Sequence, residues 1–540
     1  MAGSDPIDGD LPPTWTAEPA WAAESSAVSM SFVEKHPGVD RPSPGNPITP
    51  DGELTESADR RTRPARTAGA ADQGTHGARE LQRFPASVAQ RRLLQLAQLT
   101  RHGPAFNLPI CVRIHGPLSA DTIERSLQFL VDRHEALRTT FADCDGGLVQ
   151  IIAGNVPVSL ARNQIRSAAN DVPTGIVAGA IRDEAERRFD LVRGPLVRAR
   201  LLVVRPDEHI LVITLHRMVA DVWSLEVLQH ELWVAYEALL DGRQPALLPL
   251  AVQYADFAAW QAGWLRSDEA SAALRFWERT LAGGLAVLDL PAGRSGPGRP
   301  VSRGAVETLV LPDYLTQALR KRCEADDTTV FVAMYACFSV LLAGYADQDD
   351  VLVVSPFANR QPETAPLVGP LAVPLALRLD VSGNPTLRQV LRRAAGVIAD
   401  ALAHGDLPID VVLERLKVRS VHGRNPFLQF CFAYQTAVRA PPVRDVTIAP
   451  MPPIGVGTPF ELQLTVIEHA DGFGVELHFD PDRLDGSAIG QMLECFEQLL
   501  TALAGTPDHH LDEIARRRDG NAWSQAASRC APSRAITSRS

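Results

Sequence analysis

The chain has 540 residues, 45% of them apolar and 22% charged, the balance of a globular protein with room for about two to four domains. A net charge of −11 with no basic stripe argues against a nucleic-acid-binding protein. No run approaches about 18 consecutive apolar residues, so no membrane span is expected, and no basic-then-apolar secretory signal opens the chain.

Residues 1–80 carry ten of the 41 prolines with many Gly, Ser, Thr, Asp and Ala, and no apolar periodicity. Such a segment buries too little surface to offset its ordering entropy, so it is expected to be disordered. The tail 516–540, rich in Ser, Ala and Arg, reads the same way. Between them, Asn107 to His115 reads as a strand, and Ser119 is placed to cap a helix. In that helix Ile123, Leu127, Leu130 and Val131 share a face, and Asp121 and Glu124 sit in the first turn, where the dipole favours acids. Pro195–Val204 and Ile210–Leu215 predict a hairpin around Pro206-Asp207, followed by a helix over Val227–Leu240. Residues 241–304, richer in Pro and Gly at both ends, read as a connection between lobes.

The second half repeats the mixture. Helices are predicted over Leu315–Ala325, Thr329–Ala346, Leu387–Leu402 and Ser487–Leu503. Strands are predicted over Val351–Pro356, Leu375–Val381, Leu428–Tyr434, Glu461–Glu468 and Gly474–Phe479. Alternating elements in two halves predict an α/β protein of two lobes, 81–265 and 266–515. The seven cysteines (Cys111, Cys144, Cys323, Cys337, Cys431, Cys495, Cys530) are scattered, odd in number and without a Cys-x-x-Cys. They read as free thiols of a reducing cytoplasm, not as a zinc site or disulfide frame.

Seven motifs in order carry a family resemblance. They are Ser87 to Leu93, Arg133-His-Glu-Ala-Leu-Arg-Thr-Thr-Phe141, His216-Arg-Met-Val-Ala-Asp-Val-Trp-Ser224, Tyr254-Ala-Asp-Phe-Ala-Ala-Trp260, Val368 to Arg378, His404 to Asp410 and Arg424-Asn-Pro-Phe-Leu-Gln429. Ser355-Pro-Phe-Ala-Asn-Arg360 is similar to a further family segment. Together they resemble the condensation domains of non-ribosomal peptide synthetases. The resemblance implies a fold like chloramphenicol acetyltransferase, with two related lobes in a V-shaped pseudo-dimer around a central tunnel. It implies an acyltransferase-type condensation joining a carrier-bound acyl thioester to an amine or hydroxyl, with substrates on phosphopantetheine arms of carrier proteins acting in trans. No cofactor or metal is implied, and the chain is expected to be a cytoplasmic monomer.

The motif departs from the family's His-His-x-x-x-Asp-Gly at two places. Arg217 stands where the family has its catalytic His, and Val222 replaces the Gly. A neutral imidazole can take an amine proton near pH 7; a guanidinium has only donors and stays protonated, so Arg217 is no general base. Arg217 is open to stabilising an oxyanion, contacting a substrate or partner carboxylate, or filling the site and pairing with structure. His216 matches the family's structural His, and replaces the base only if its ring turns inward. The resemblance implies that Asp221 pairs with Arg138, with Trp223 and Ser224 supporting the site. Val222, Ser355, Arg360 and Val373 are tunnel-lining candidates, Val222 narrowing the passage and Val373 standing where the family has an Asn. Two functions stay open: condensation without the usual His, or a non-catalytic platform recruiting a tailoring enzyme such as an oxygenase. A degenerate relative of glycopeptide assembly lines with the same His-Arg pair resembles the second. Epimerisation or cyclisation ranks below both.

Overall fold

A computed structural model describes residues 81–99, 106–144, 147–165, 174–285, 287–290, 304–417, 424–437, 441–451 and 458–516. The segment 1–80 and the tail beyond 516, both expected to be disordered, lie outside these residues. In the first half, strand β1 (Leu81–Pro85) leads to helix α1 (Val88–Leu99), β2 (Asn107–His115), α2 (Ala120–Arg133), β3 (Thr139–Cys144), β4 (Gly147–Ala153), β5 (Leu160–Gln164) and α3 (Thr174–Glu186). Next come β6 (Val197–Arg205), β7 (Glu208–His216), α4 (Val222–Leu240), α5 (Tyr254–Trp264) and α6 (Asp268–Thr280). The second half holds β8 (Ala305–Val310), α7 (Asp313–Ala325), α8 (Val330–Ala346), β9 (Asp350–Phe357), β10 (Val373–Asp380), α9 (Leu387–Ala403) and α10 (Ile409–Leu416). It ends with β11 (Phe430–Thr436), β12 (Thr447–Pro450), β13 (Leu462–Glu468), β14 (Phe473–Phe479), α11 (Gly486–Gly505) and α12 (Leu511–Arg516).

The expected hairpin is β6–β7, and Ser119 caps α2 by accepting from Thr122 N. The stretch read as a connection contains α5 and α6. Its aromatics Tyr254, Phe257, Trp260 and Trp264 form a ridge of neighbouring rings 5.7–6.3 Å apart, and apolar residues fall all round α5, which hides a helical stripe.

One sheet has the order β12-β2-β7-β6-β5 and the other β10-β9-β11-β13-β14-β8; β1-β4-β3 form a small third sheet. All nine residues of β7 are buried. Its two faces meet different helices: Ile210 and Val212 pack with Val177 and Ile181 of α3. Leu211, Ile213 and Leu215 pack with Leu127 and Leu130 of α2 and Leu228 and Leu232 of α4. A strand covered on both faces reads as an unbroken apolar run. In the second lobe α8 is buried nearly end to end in the larger core. Among the described residues no single helix is long and apolar enough to cross a membrane.

Two stretches from beyond residue 266 pack in the first lobe: Leu367, Val368 and Leu371, and the strand β12 with Val443. The β12 strap pairs Thr447 with His115 and Pro450 with Val112. It approaches so closely that a Cβ on Gly116 (φ +116°) would lie 2.2 Å from Asp445 O. Only glycine tolerates both that φ and that contact. Gly116→Ala is expected to destabilise the chain by about 2 kcal/mol or more, read as a lower midpoint in denaturant unfolding.

Candidate active site

β7 ends at His216, hydrogen-bonded in register with Asn107 of β2. The chain then turns tightly: Arg217 N donates to Phe106 O (2.8 Å) and Val219 N to His216 O (2.9 Å). Asp221 caps α4 by accepting from Ser224 N (2.9 Å), while Ser224 Oγ accepts from Asp221 N (3.2 Å). The loop is pinned in its middle by Gln90 of α1, whose Nε2 donates to Met218 O (3.1 Å) and to Gln150 Oε1 (3.0 Å). Neither glutamine was singled out from the sequence, although Gln90 lies inside the opening motif.

His216 is buried between aromatic rings, with Phe106 stacked at 6.2 Å and Phe189 edge-on at 5.9 Å. Its Nδ1 accepts from Met218 N at 3.2 Å. That lone pair is engaged by a backbone donor, so Nδ1 is not available to accept a substrate proton. His216, a catalytic candidate from the sequence, is packed inside the first lobe with Nδ1 turned to the loop backbone.

Asp221 does not pair with Arg138. Arg138 turns back to Ala153 O and, at 3.4 Å, to Glu135 Oε1. The partner of Asp221 is Arg360, whose Nη2 lies 2.7 and 2.9 Å from the two carboxylate oxygens. Leu371 N (3.0 Å) and Ala372 N (2.9 Å) also donate to Oδ2. Arg360 Nη1 donates to Leu367 O (2.7 Å) and Thr364 O (3.1 Å), so its side chain, 4% exposed, is engaged in structure. Burial pulls its guanidinium below the usual range, and the Asp221 carboxylate opposes that pull. Arg360 is thus a tie between lobes and not a tunnel wall. Trp223 adds a second tie through Nε1 to Ala365 O (2.8 Å). Ser224 Oγ also accepts from Gly369 N (3.1 Å).

Tyr254 completes the junction. Its hydroxyl lies 2.7 Å from Ser87 Oγ and donates to Pro370 O at 3.2 Å. A Cβ on Gly369 would sit 2.1 Å from the Tyr254 ring, so glycine is required there by close approach. Two other tunnel-lining expectations fail. Ser355 is buried, and its Oγ donates to Phe432 O (2.8 Å), stitching β9 to β11 beside their one paired position. Val373 is 4% exposed in the second core, paired with Phe357. Val222, by contrast, is 39% exposed at the first turn of α4.

Arg217 differs from every other member of the site. It follows the end of the first lobe's central strand, and the groups that act on it electrostatically are Cys431 on β11 of the second lobe and Asp221. Its side chain makes no hydrogen bond or ion pair with any described residue, and its Nε is sealed from solvent without an acceptor. Burial pulls its guanidinium below the ordinary range. The Cys431 thiol is pushed up to about 12 by burial, so it is neutral and offers no counter-charge.

Glu226, which sequence reasoning missed, lies one helical turn beyond Val222. It is half-buried, and burial together with the Asp221 carboxylate raises it to about 7, against the pull of Arg360. A separate cavity of about 590 Å³ lies in the first lobe, floored by Leu127, Leu130, Ile213 and Leu228; no residue of 216–224 lines it, though Phe189 in its wall touches His216.

Two outcomes follow from these charges. Asp221→Ala leaves Arg360 buried without its counter-ion and is expected to cost about 3–5 kcal/mol in urea unfolding. Glu226 binds its proton more tightly folded than unfolded, so its contribution falls as pH rises from its unfolded value near 4.5 through about 7. Glu226→Gln is expected to be more stable than the parent by about 1–3 kcal/mol at pH 8, a gain that vanishes near pH 4. Unfolding midpoints at the two pH values check it.

Residues 80–521 match the family described as Condensation domain. Among curated relatives, a linear gramicidin synthase of Brevibacillus parabrevis is 36% identical over 430 residues, covering 79% of this chain and 6% of the relative. Phosphinothricin tripeptide synthetase PhsC of Streptomyces viridochromogenes is 29% identical, covering 81% of this chain and 41% of the relative. The chain therefore spans a small part of the gramicidin synthase and under half of PhsC. Among solved structures, the complex of the X-domain and OxyB from teicoplanin biosynthesis matches with TM-score 0.72 and 25% identity, covering 83% of this chain and 99% of that chain. The fold is also that of SgcC5 from Streptomyces globisporus (TM-score 0.67, 21% identity, covering 79% of this chain and 100% of that one).

Proposed function

Because the chain belongs to the condensation-domain family, we propose that it joins an acyl thioester to an amine or hydroxyl without a side-chain base, through positioning and the charge of Arg217. The observation that carries this reading is the unanswered guanidinium of Arg217 at the seam between the two sheets. The amine loses its ammonium proton to water before attack. The new bond forms to the thioester carbon, the C–S bond breaks, and the leaving sulfur takes the amine's second proton through solvent. A fixed cation in a poorly solvated site lowers the energy of the oxyanion formed on the way, and holding the reactants together supplies much of the remaining rate. Neither His216 Nδ1 nor the neutral Cys431 thiol competes for the role of base.

In this reading the thioester arrives on the phosphopantetheine arm of a carrier protein acting in trans, in the cytoplasm. The chain works as a monomer and the site has no resident cofactor. A second reading is favoured by one observation, the likeness to an X-domain solved with OxyB. Here the same seam serves as a platform that holds a carrier-bound substrate for a tailoring enzyme such as an oxygenase.

The two readings part on Arg217→Ala made in the producing cells and compared with a deletion. The condensation reading expects both to lose the same product, with at least about a hundredfold less in the variant and unchanged protein abundance. Normal product from Arg217→Ala beside none from the deletion sinks the condensation reading and leaves the platform.

A further inference from the structure

We propose that Arg217 is the counter-ion of a substrate carboxylate, and that the acceptor this site takes is a free α-amino acid. This rests on the condensation reading and names its acceptor.

Burial pulls the guanidiniums of both Arg217 and Arg360 below the ordinary range, and the Nε of Arg217 is sealed from solvent without an acceptor while the residue as a whole is half-buried. Arg360 is answered by Asp221 and two loop carbonyls. Arg217 is answered by nothing among the described residues, and the neighbouring Cys431 thiol is neutral. Asp221 cannot turn to it, because both of its oxygens are already held by Arg360, Ser224, Leu371 and Ala372. A guanidinium whose donors meet no protein acceptor and whose Nε is sealed from water gains when an anion arrives, which points to a ligand as the missing partner.

The geometry of the donor selects the anion. A guanidinium presents its N–H groups as a planar fork that matches a carboxylate with two parallel hydrogen bonds. The phosphate of a phosphopantetheine arm lies at the opposite end of that arm from its thioester, so an arm delivering a thioester here keeps its phosphate away. A carrier-bound aminoacyl group has given up its α-carboxylate to the thioester and would leave Arg217 unanswered. A free α-amino acid keeps that carboxylate two bonds from its amine. Gripping it therefore places the nucleophile beside the guanidinium, whose remaining donors stay available to the thioester carbonyl. The bond changes balance simply: the amine nitrogen replaces sulfur on the acyl carbon, a proton moves from nitrogen to the released thiol, and the carboxylate is unchanged.

The test uses the full chain and no thioester. Isothermal titration with each proteinogenic amino acid, then with the carboxamide of any that binds, reads the carboxylate directly. At least one free amino acid is expected to bind, its carboxamide roughly ten- to hundredfold more weakly, and Arg217→Ala to lose the difference between acid and amide. Arg217→Lys, which keeps the charge without the fork, is expected to recover part of it and serves if the alanine variant does not fold. Absence of binding across the panel, equal binding of acid and amide, or acid–amide discrimination that survives in the variants overturns the proposal. Turnover separates the two ideas. Condensation with carrier-bound amines only refutes the free amino acid and keeps the condensation reading. Arg217-dependent amino-acid binding with no thioester ever consumed does the reverse.

Discussion

The carboxylate of Asp221 is the fixed point on which the two lobes and the loop between them depend. It sits at the N-terminus of α4, where the helix dipole favours an anion. It takes hydrogen bonds from its own helix through Ser224 and from the far lobe through Arg360, Leu371 and Ala372. A buried ion pair is weak evidence for net stability, because desolvation offsets much of its attraction. Its consequence here is register. Every far-lobe donor to Asp221 is set to one position of the 360–372 segment, so a slip of that segment leaves a buried charge without its counter-ion. Tyr254 and Gly369 enforce the same register sterically, the ring occupying the space that any side chain would need.

This anchoring explains how Arg217 can stand in the position of a catalytic His without disturbing the fold. The loop is held by main-chain bonds at Phe106 and His216, by Gln90 at Met218, and by Asp221 at its end. None of these contacts uses the side chain of residue 217. The scaffold does not draw on the side chain there, so a guanidinium in that place leaves these contacts as they are.

Much of this was legible in the sequence, and the exceptions have physical reasons. Helices with one apolar face, such as α2, and strands with caps or turns at their ends stood out by period and punctuation. Helix α5 did not, because its apolar residues surround it. The small hairpin β3–β4 passed unnoticed despite the Asp145-Gly146 pair between its strands. At the site, the motif gave the loop and its cap. It did not give the partner of Asp221, since Arg138 and Arg360 are equally good cations on paper and only the folded chain brings one of them near. Ser355 and Val373 were candidates by their place in family segments, but β-strand alternation turns both into the core. Glu226 carries no motif at all. Its unusual proton affinity comes from burial beside a like charge, which one-dimensional spacing does not encode.

Glu226 also clarifies what the seam does not contain. A carboxyl titrating near neutrality is the kind of group that serves as a base, but its electrostatic partners are Asp221 and Arg360, not Arg217. Ionising it places a second negative charge beside the carboxylate that ties the lobes, and protonating it relieves that repulsion. Its titration therefore acts on the anchor between lobes. The charges of the seam divide into two sets. Asp221 and Arg360 pair and hold the lobes in register, with Glu226 beside them as a second, weakly acidic carboxyl. Arg217 stands apart, its side chain meeting no acceptor among the described residues. In the proposed condensation, proton transfer is then set by the acceptor's own acidity, and selectivity by which anion the guanidinium grips.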